Sequence, residues 1–312
     1  MPTFAERLTG GLYGLLIGDA LGVPYEFHPP SALPPLAEIE MTPPSGFRRT
    51  YPHVPVGTWS DDGAQALVLL VSLLENRKLD LDDFGRRLVA WADEGFMAVG
   101  KQVFDIGIQT SQAVARLRSG VPAAQASSSD ERANGNGSLM RVLPLALWHR
   151  GSDAELVADA HRQSLVTHGH VRSQVCCALY CLWARRTLEG NETAWETAVA
   201  NLRDIYASDS PERIELDTVI RPDDPPSGQG SGYVVDCLNS ARLVQQAGSY
   251  EQVVKAAVAL GNDTDTTACV AGGIAGLRDG FEAIPLRWRE QLREPDLVAR
   301  LMQGLMAWRA VA

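Results

Sequence analysis

Apolar residues recur along most of this chain at intervals of three and four positions. That spacing places apolar side chains on one face of a helix and is the main sequence signal for amphipathic helices. No segment shows a convincing alternation of apolar and polar residues, which is the pattern of a half-buried strand. We therefore predict an all-α protein, with helices over residues 4–23, 64–74, 84–91, 139–148, 171–188, 234–244, 253–260 and 266–277.

The first predicted helix contains four glycines at four-residue spacing, Gly10, Gly14, Gly18 and Gly22. This spacing leaves bare backbone along one helix face. A glycine inside a helix costs about 1 kcal/mol relative to alanine, so close packing should compensate. We expect another helix to approach closely along this face.

The helical pattern stops over residues 27–57, where prolines punctuate an irregular stretch. Loops of this length inside a compact domain often act as lids or binding loops, although a plain connection is the alternative. The chain shows no internal repeat and no low-complexity tract. We predict a single domain over residues 1–312, with one proline-rich loop at about 27–57.

The composition narrows the class of partner. The formal net charge is −10, and basic residues do not cluster, which argues against nucleic-acid binding and favours cationic ligands, metal ions included. The sequence predicts neither a secretory leader nor a membrane span. The five cysteines lack metal-site spacing and resemble buried thiols, although a Cys176–Cys177 redox pair is an alternative. A reducing cytoplasmic location is the simplest expectation.

Two short acidic segments each stand at the predicted start of a helix: Ser60, Asp61 and Asp62 in GTWSDDGAQAL, and Asp263, Asp265 and Thr266 in GNDTDTTACV. Either segment alone could simply cap its helix, because hydroxyl and carboxylate groups suit a helix N-terminus. If the two helix starts meet, however, four carboxylates converge and their repulsion requires cations. Oxygen ligands favour Mg²⁺ or Mn²⁺ over zinc, and a pair of such ions is common in hydrolytic sites.

Six motifs in order along the chain resemble those of the ADP-ribosylglycohydrolase family. They are GLYGLLIGDALGVPYEF, GTWSDDGAQAL, NGNGSLMRVLPLAL, VTHGHVRSQVCCA, SGYVVDCLNSA and GNDTDTTACVAGGIAGL. The resemblance spans nearly the whole chain. It implies a compact, orthogonal, all-α bundle that holds two divalent cations.

The same resemblance implies roles for individual residues. The metal ligands would be Ser60, Asp61, Asp62, Asp263, Asp265 and Thr266. Glu26 corresponds to an acidic residue near the scissile bond, and either Glu26 or Asp62 would assist proton transfer; a glutamate on a surface loop is the alternative for Glu26. Substrate contacts would come from Asn134, Gly135, Asn136, Gly137, Ser138, Met140, His168, Gly232 and Tyr233.

Two positions depart from the family pattern. Ser60 stands where many relatives have threonine, which keeps the hydroxyl ligand, and Gly63 stands where threonine is frequent. Gly63 lies just beyond the predicted ligands.

The implied activity is hydrolysis of the N-glycosidic bond in ADP-ribosylated arginine, on a modified protein or a small conjugate, with release of ADP-ribose. Cleavage of serine-linked ADP-ribose or O-acetyl-ADP-ribose is an alternative, and the SGYVVD segment favours the arginine-directed members. A non-catalytic, crystallin-like ADP-ribose-binding protein is a further alternative. From the chemistry alone, a two-metal phosphatase also remains open.

Overall fold

The computed structural model describes residues 1–310, which fold into helices joined by loops. Within this range there is no sheet, only two isolated bridges between extended residues. The prediction of an all-α protein is confirmed. The helices are α1 (Phe4–Gly22), α2 (Asp61–Asn76), α3 (Leu81–Glu94), α4 (Ile108–Arg118), α5 (Leu143–Trp148), α6 (Asp153–Ser164), α7 (Val171–Leu188), α8 (Ala194–Ile205), α9 (Pro211–Ile214), α10 (Val234–Val244), α11 (Tyr250–Ala259), α12 (Thr264–Asp279), α13 (Leu286–Arg289) and α14 (Pro295–Ala310).

Helix α1 packs along α12 through the four glycines of its predicted bare face. A Cβ atom added to Gly10, Gly14 or Gly18 would collide with a backbone carbonyl of α12. At the end of the ladder, a Cβ on Gly22 would collide with the backbone of Asp265. The expected close approach is therefore confirmed, and it brings the end of α1 against the start of α12.

The helix expected over residues 139–148 is wrong at its N-terminal end. Residues 139–141 form turns, and α5 begins only at Leu143. Pro144 occupies the first turn of α5, where the missing N–H of proline has no partner to lose. The apolar pattern of residues 139–142 reflects burial in the core instead of helical structure.

The proline-rich loop is anchored to the helical body at Glu40. Its carboxylate accepts hydrogen bonds from Lys255 Nζ at 2.9 Å, Arg287 Nη2 at 2.9 Å and Trp288 Nε1 at 2.6 Å. The hydroxyl of Tyr25 also donates to the Glu40 carbonyl at 2.7 Å. These contacts join the middle of the loop to α11 and α13.

One cluster of buried apolar side chains runs from Leu8 in α1 to Leu305 in α14. All five cysteines are free thiols and are buried, so the structure contains no Cys176–Cys177 disulfide. Among residues 1–310, the helices are too short or too polar to traverse a lipid bilayer.

Candidate active site

The starts of α2 and α12 meet at Asp62. Its Oδ2 atom accepts hydrogen bonds from Ser60 Oγ at 3.1 Å and from Thr266 Oγ1 at 3.4 Å. Ser60 also caps α2, because its Oγ accepts from the Asp62 amide at 3.2 Å. Two acidic segments that are about two hundred residues apart in the chain therefore share one site.

Two of the predicted metal ligands, Asp61 and Asp263, each accept a hydrogen bond from a side-chain amide. Asp61 Oδ2 accepts a hydrogen bond from Gln65 Nε2 at 2.8 Å, one helical turn away. Asp263 Oδ2 accepts from Asn136 Nδ2 at 2.7 Å. In each case an amide fixes one carboxylate oxygen and leaves the other for a further partner.

Glu26, Asp105 and Asp265 form a second acidic group at the same place. One carboxylate oxygen of each lies within 4.8 Å of the others. Glu26 is 2% exposed, so the surface-loop alternative for this residue is wrong. The hydroxyl of Tyr51 donates to Asp105 Oδ1 at 3.0 Å.

Sequence reasoning missed Asp105. It lies in an irregular segment just before α4, with a φ of +57°, and neither spacing nor a cap marks it. In the folded protein Asp105 lies beside the end of α1 and the start of α12, and this position depends on contacts between remote segments.

Asp19 was also missed as a site residue, although the sequence shows it inside an apolar helix. It is fully buried, and its carboxylate accepts from the backbone amides of Ser60 at 2.9 Å and Gly63 at 2.7 Å. Asp19 therefore holds the first turn of α2. A buried carboxylate in an apolar run was the signal that could have identified it, because a buried charge requires partners.

Burial dominates the electrostatics of the acidic group. It raises the pKa of Glu26 to about 10, with further contributions from the charges of Asp105 and Asp263. Burial likewise raises the pKa values of Asp61, Asp62 and Asp265 well above the usual range, and neighbouring carboxylates add to the effect. Without positive charge, the cluster cannot keep all its carboxylates ionised.

Three oxygens show that these residues fit divalent cations. Glu26 Oε2, Asp62 Oδ1 and Asp265 Oδ2 are buried and have no hydrogen-bond partner among residues 1–310. Buried polar atoms are normally paired. Oxygens left free inside a carboxylate cluster are the donors that Mg²⁺ and Mn²⁺ prefer.

A cavity of about 750 Å³ opens beside the acidic group. Four of its lining residues are acidic, Glu26, Asp61, Asp105 and Asp263, and the other lining residues are uncharged. Asp62 and Asp265 are not in its wall. The complete lining is Glu26, Phe27, Asp61, Asp105, Ile106, Gly107, Ile108, Gln109, Thr110, Gly135, Asn136, Gly137, Met140, His168, Ser231, Gly232, Asn262, Asp263 and Thr266.

Six of the nine predicted substrate contacts line this cavity: Gly135, Asn136, Gly137, Met140, His168 and Gly232. The predicted histidine is neutral, since burial lowers the pKa of His168 to about 3. Its Nδ1 lies 2.8 Å from Thr167 Oγ1, and its Cε1 and Nε2 edge faces the Cα of Gly137. His168 therefore presents an uncharged ring edge to the cavity.

The other three predicted contacts lie outside the cavity wall. Asn134 accepts from Ser173 Oγ at 2.9 Å, and Ser138 is fully buried with its hydroxyl 2.9 Å from Ser164 Oγ. The Tyr233 side chain is 39% exposed. The side chains of Asn134 and Ser138 bond within the protein body. Both residues therefore support from behind the segment over residues 134–138, which we call the pocket turn.

A separate cavity of about 520 Å³ lies elsewhere on the molecule. Its wall includes Trp183, Trp195 and Arg242 and contains none of the predicted site residues. The acidic cavity is therefore the candidate active site.

Comparisons with known proteins agree with this site. The model of the family described as ADP-ribosylglycohydrolase matches residues 1–311. The chain is 30% identical over 309 residues to ADP-ribosylarginine hydrolase Tri1 of Pseudomonas putida, covering 96% of this chain and 78% of the relative. It is 27% identical over 343 residues to ADP-ribosylhydrolase ARH3 of Danio rerio, covering 96% and 90%.

A solved structure has the same fold. The chain superposes on the ADP-ribosylglycohydrolase-related protein complex with a TM-score of 0.77 and 30% identity, covering 99% of both chains. The resemblance expected from the six motifs is confirmed. The chain therefore belongs to the ADP-ribosylglycohydrolase family, and this membership supports an ADP-ribosyl hydrolase activity.

Proposed function

We propose that this protein hydrolyses the N-glycosidic bond between ADP-ribose and an arginine side chain, using two divalent cations, Mg²⁺ or Mn²⁺. The products are ADP-ribose and unmodified arginine. Of the two relatives compared above, the name of the Pseudomonas putida protein specifies the arginine linkage, and that of the Danio rerio protein specifies none. The choice of linkage therefore depends on the charge of the site.

The number of acidic side chains in the site is the observation that carries the proposal. The site combines Glu26, Asp61, Asp62, Asp105, Asp263 and Asp265. With Glu26 protonated, the other five acids would carry negative charge, and two divalent cations would balance four of these five charges. The remaining negative charge favours a guanidinium leaving group, which is cationic, over a neutral serine or acetyl group.

The uncharged part of the cavity lining suits the diphosphate of ADP-ribose. No lysine or arginine lines the cavity within the described part of the chain. Gly135 and Gly137 line the cavity, and their amides donate to no backbone carbonyl among residues 1–310. Free backbone N–H groups can bind a phosphate without a basic side chain.

The predicted ligands Ser60, Asp61, Asp62, Asp263, Asp265 and Thr266 would hold the cations, which supply Lewis-acid stabilisation and orient water when bound. Proton transfer is the task of the protein. Glu26 lines the cavity, whereas Asp62 lies behind the wall. We therefore assign the transferred proton to the Glu26 carboxyl group, which would give it to the departing guanidine nitrogen and then accept a proton from the attacking water.

The decisive assay offers three conjugates to the protein: ADP-ribosyl-arginine, ADP-ribosyl-serine and O-acetyl-ADP-ribose. Each is incubated with Mg²⁺, with Mn²⁺ or with EDTA, and free ADP-ribose is measured. We expect release from the arginine conjugate with either ion and none in EDTA. Glu26→Gln should retain ADP-ribose binding and lose turnover by roughly 10²-fold or more, because only the transferable proton is removed.

The other outcomes identify the alternatives. Faster release from the serine or acetyl conjugate would assign a different leaving group to the same site. Binding of ADP-ribose without turnover of any conjugate would indicate a non-catalytic, crystallin-like protein. Activity that persists in EDTA after dialysis would contradict the role of the cations.

A further inference from the structure

Arg141 is a buried cation that the proposed chemistry does not use. It follows Met140 of the cavity wall, and its side chain is completely buried. Its guanidinium contacts no carboxylate among residues 1–310. A buried charge is normally paired, so its three amide and carbonyl contacts require an explanation.

The first contact leads to the metal-ligand segment. Arg141 Nη1 donates to Gln65 Oε1 at 2.9 Å. Since an arginine has donors only, the oxygen of the Gln65 amide must face Arg141 and its NH₂ group must face away. That NH₂ group donates to Asp61 Oδ2, which fixes the carboxylate at the cavity wall.

The second and third contacts lead to the pocket turn. Arg141 Nε donates to Gln163 Oε1 and Nη2 donates to the Gln163 carbonyl, both at 3.2 Å. The Gln163 NH₂ group is thereby directed to the carbonyl of Ser138 at 3.2 Å. Behind the same turn, Ser164 Oγ donates to the carbonyl of His168 at 2.8 Å.

We propose that Arg141 is a positioning residue for this active site. It orients two glutamine amides, one that holds Asp61 in the acidic group and one that holds the pocket turn. Its charge acts through Gln65 on the acidic group, with no direct contact to a predicted ligand. This inference rests on the proposed function, which identifies the two bound species as divalent cations and ADP-ribose.

Two single variants test the contact through Gln65 and the contact through Gln163 separately. Gln65→Leu removes the donor to Asp61 and keeps the side-chain volume, so Mn²⁺ affinity measured by titration calorimetry should fall about tenfold. Its affinity for ADP-ribose at saturating Mn²⁺ should be unchanged. Gln163→Leu removes the donor to Ser138 and should show the reverse: weaker ADP-ribose binding with unchanged Mn²⁺ affinity.

Arg141→Met should lower both affinities together. The matched control is Arg185→Met, since Arg185 is another largely buried arginine, bonded to Asp153 and the Gly151 carbonyl outside the cavity. We expect this control to lose stability in urea unfolding and to keep both affinities. If Arg141→Met does not fold, the two glutamine variants still test the proposal.

The outcomes distinguish a failure of the proposed function from a failure of the positioning role of Arg141. A wild-type protein that binds neither Mn²⁺ nor ADP-ribose would overturn the proposed function itself. The positioning role alone would be overturned if the wild-type protein binds both but the glutamine variants keep wild-type affinities. It would also be overturned if each glutamine variant loses affinity for Mn²⁺ and for ADP-ribose alike.

Discussion

At the residue scale, the site is defined by carboxylates whose oxygens lack protein partners. Asp62 and Asp265 each keep one buried oxygen without a hydrogen bond, and both lie beneath the cavity wall. Burial of so many acids would be unfavourable unless protons or cations compensate. The destabilising arrangement is therefore expected to become stabilising when divalent cations bind.

The opposition between carboxylate repulsion and cation binding predicts the effect of removing one negative charge. Asp61→Asn or Asp265→Asn should lower Mn²⁺ occupancy and turnover by about tenfold or more, because a ligand is lost. Either variant should unfold in metal-free buffer at a temperature no lower than wild type, because repulsion among the carboxylates is relieved. Metal titration and thermal melts measure the two effects.

The control for these variants is Asp296→Asn, an exposed aspartate in the first turn of α14. It removes the same charge far from the cavity and should leave Mn²⁺ affinity unchanged. Unaltered metal affinity in both site variants would contradict their assignment as ligands.

At the element scale, the close packing of α1 on α12 positions the site. The glycine ladder lets the two backbones approach, and its last member, Gly22, contacts the backbone of Asp265. Glu26 follows four residues later, so one interface determines the separation of the two acids. Helix α2 brings the second acidic segment to the same interface, because Asp19 of α1 accepts hydrogen bonds from the amides of Ser60 and Gly63.

A methyl group in the ladder should disturb both folding and the site. Gly18→Ala places its Cβ against the carbonyl of Ala268, which cannot move without shifting α12. We expect a loss of about 1–3 kcal/mol in the free energy of unfolding, measured with urea, because the core is overpacked. Mn²⁺ affinity should fall as well, since α12 carries Asp265.

Gly304→Ala is the matched control within a helix. Its Cβ would meet only a methyl group of the flexible Leu74 side chain, at 3.2 Å. The greater helix propensity of alanine should leave stability unchanged or raise it by up to about 1 kcal/mol. Equal effects of the two substitutions would show that the ladder has no special packing role.

At the scale of the whole molecule, the proline-rich loop is joined to two distant helices through Glu40. Burial alone would raise the pKa of this carboxylate, but hydrogen bonds from Arg287, Lys255 and Trp288 outweigh burial and lower the pKa to about 2. The contact therefore links the loop, α11 and α13 most strongly when Glu40 is ionised.

The direction of this shift predicts a pH dependence. Between about pH 4.5 and pH 2 the unfolded chain binds more protons at Glu40 than the folded protein does, so this contribution to stability is lost as the pH falls. Glu40→Gln should cost on the order of 1 kcal/mol at neutral pH, allowing for solvent screening of this partly exposed group. Wild type and variant should converge in urea unfolding towards pH 2, and a constant difference between them would contradict the prediction.

The sequence by itself determined the helical class, the two acidic segments at helix starts and the glycine face of α1. These features depend on local periodicity, on residue chemistry and on motif order, all of which are visible along one chain. The start of α5 and the four-residue helices α9 and α13 were missed, because burial and helical periodicity cannot be separated in short segments. The longer helices α4, α6, α8 and α14 were also not predicted. The family resemblance supplied the candidate ligands before any geometry was known.

Only the tertiary structure decided which remote residues meet. In the tertiary structure Asp105 of an irregular loop lies in the acidic group, and Asp19 accepts hydrogen bonds from the first turn of α2. The side chains of Asn134 and Ser138 bond within the protein body and do not line the cavity. Each placement depends on contacts between segments distant in sequence, and no local pattern records such contacts. Side-chain direction in a turn is set by those partners, which is why residue type alone could not assign it.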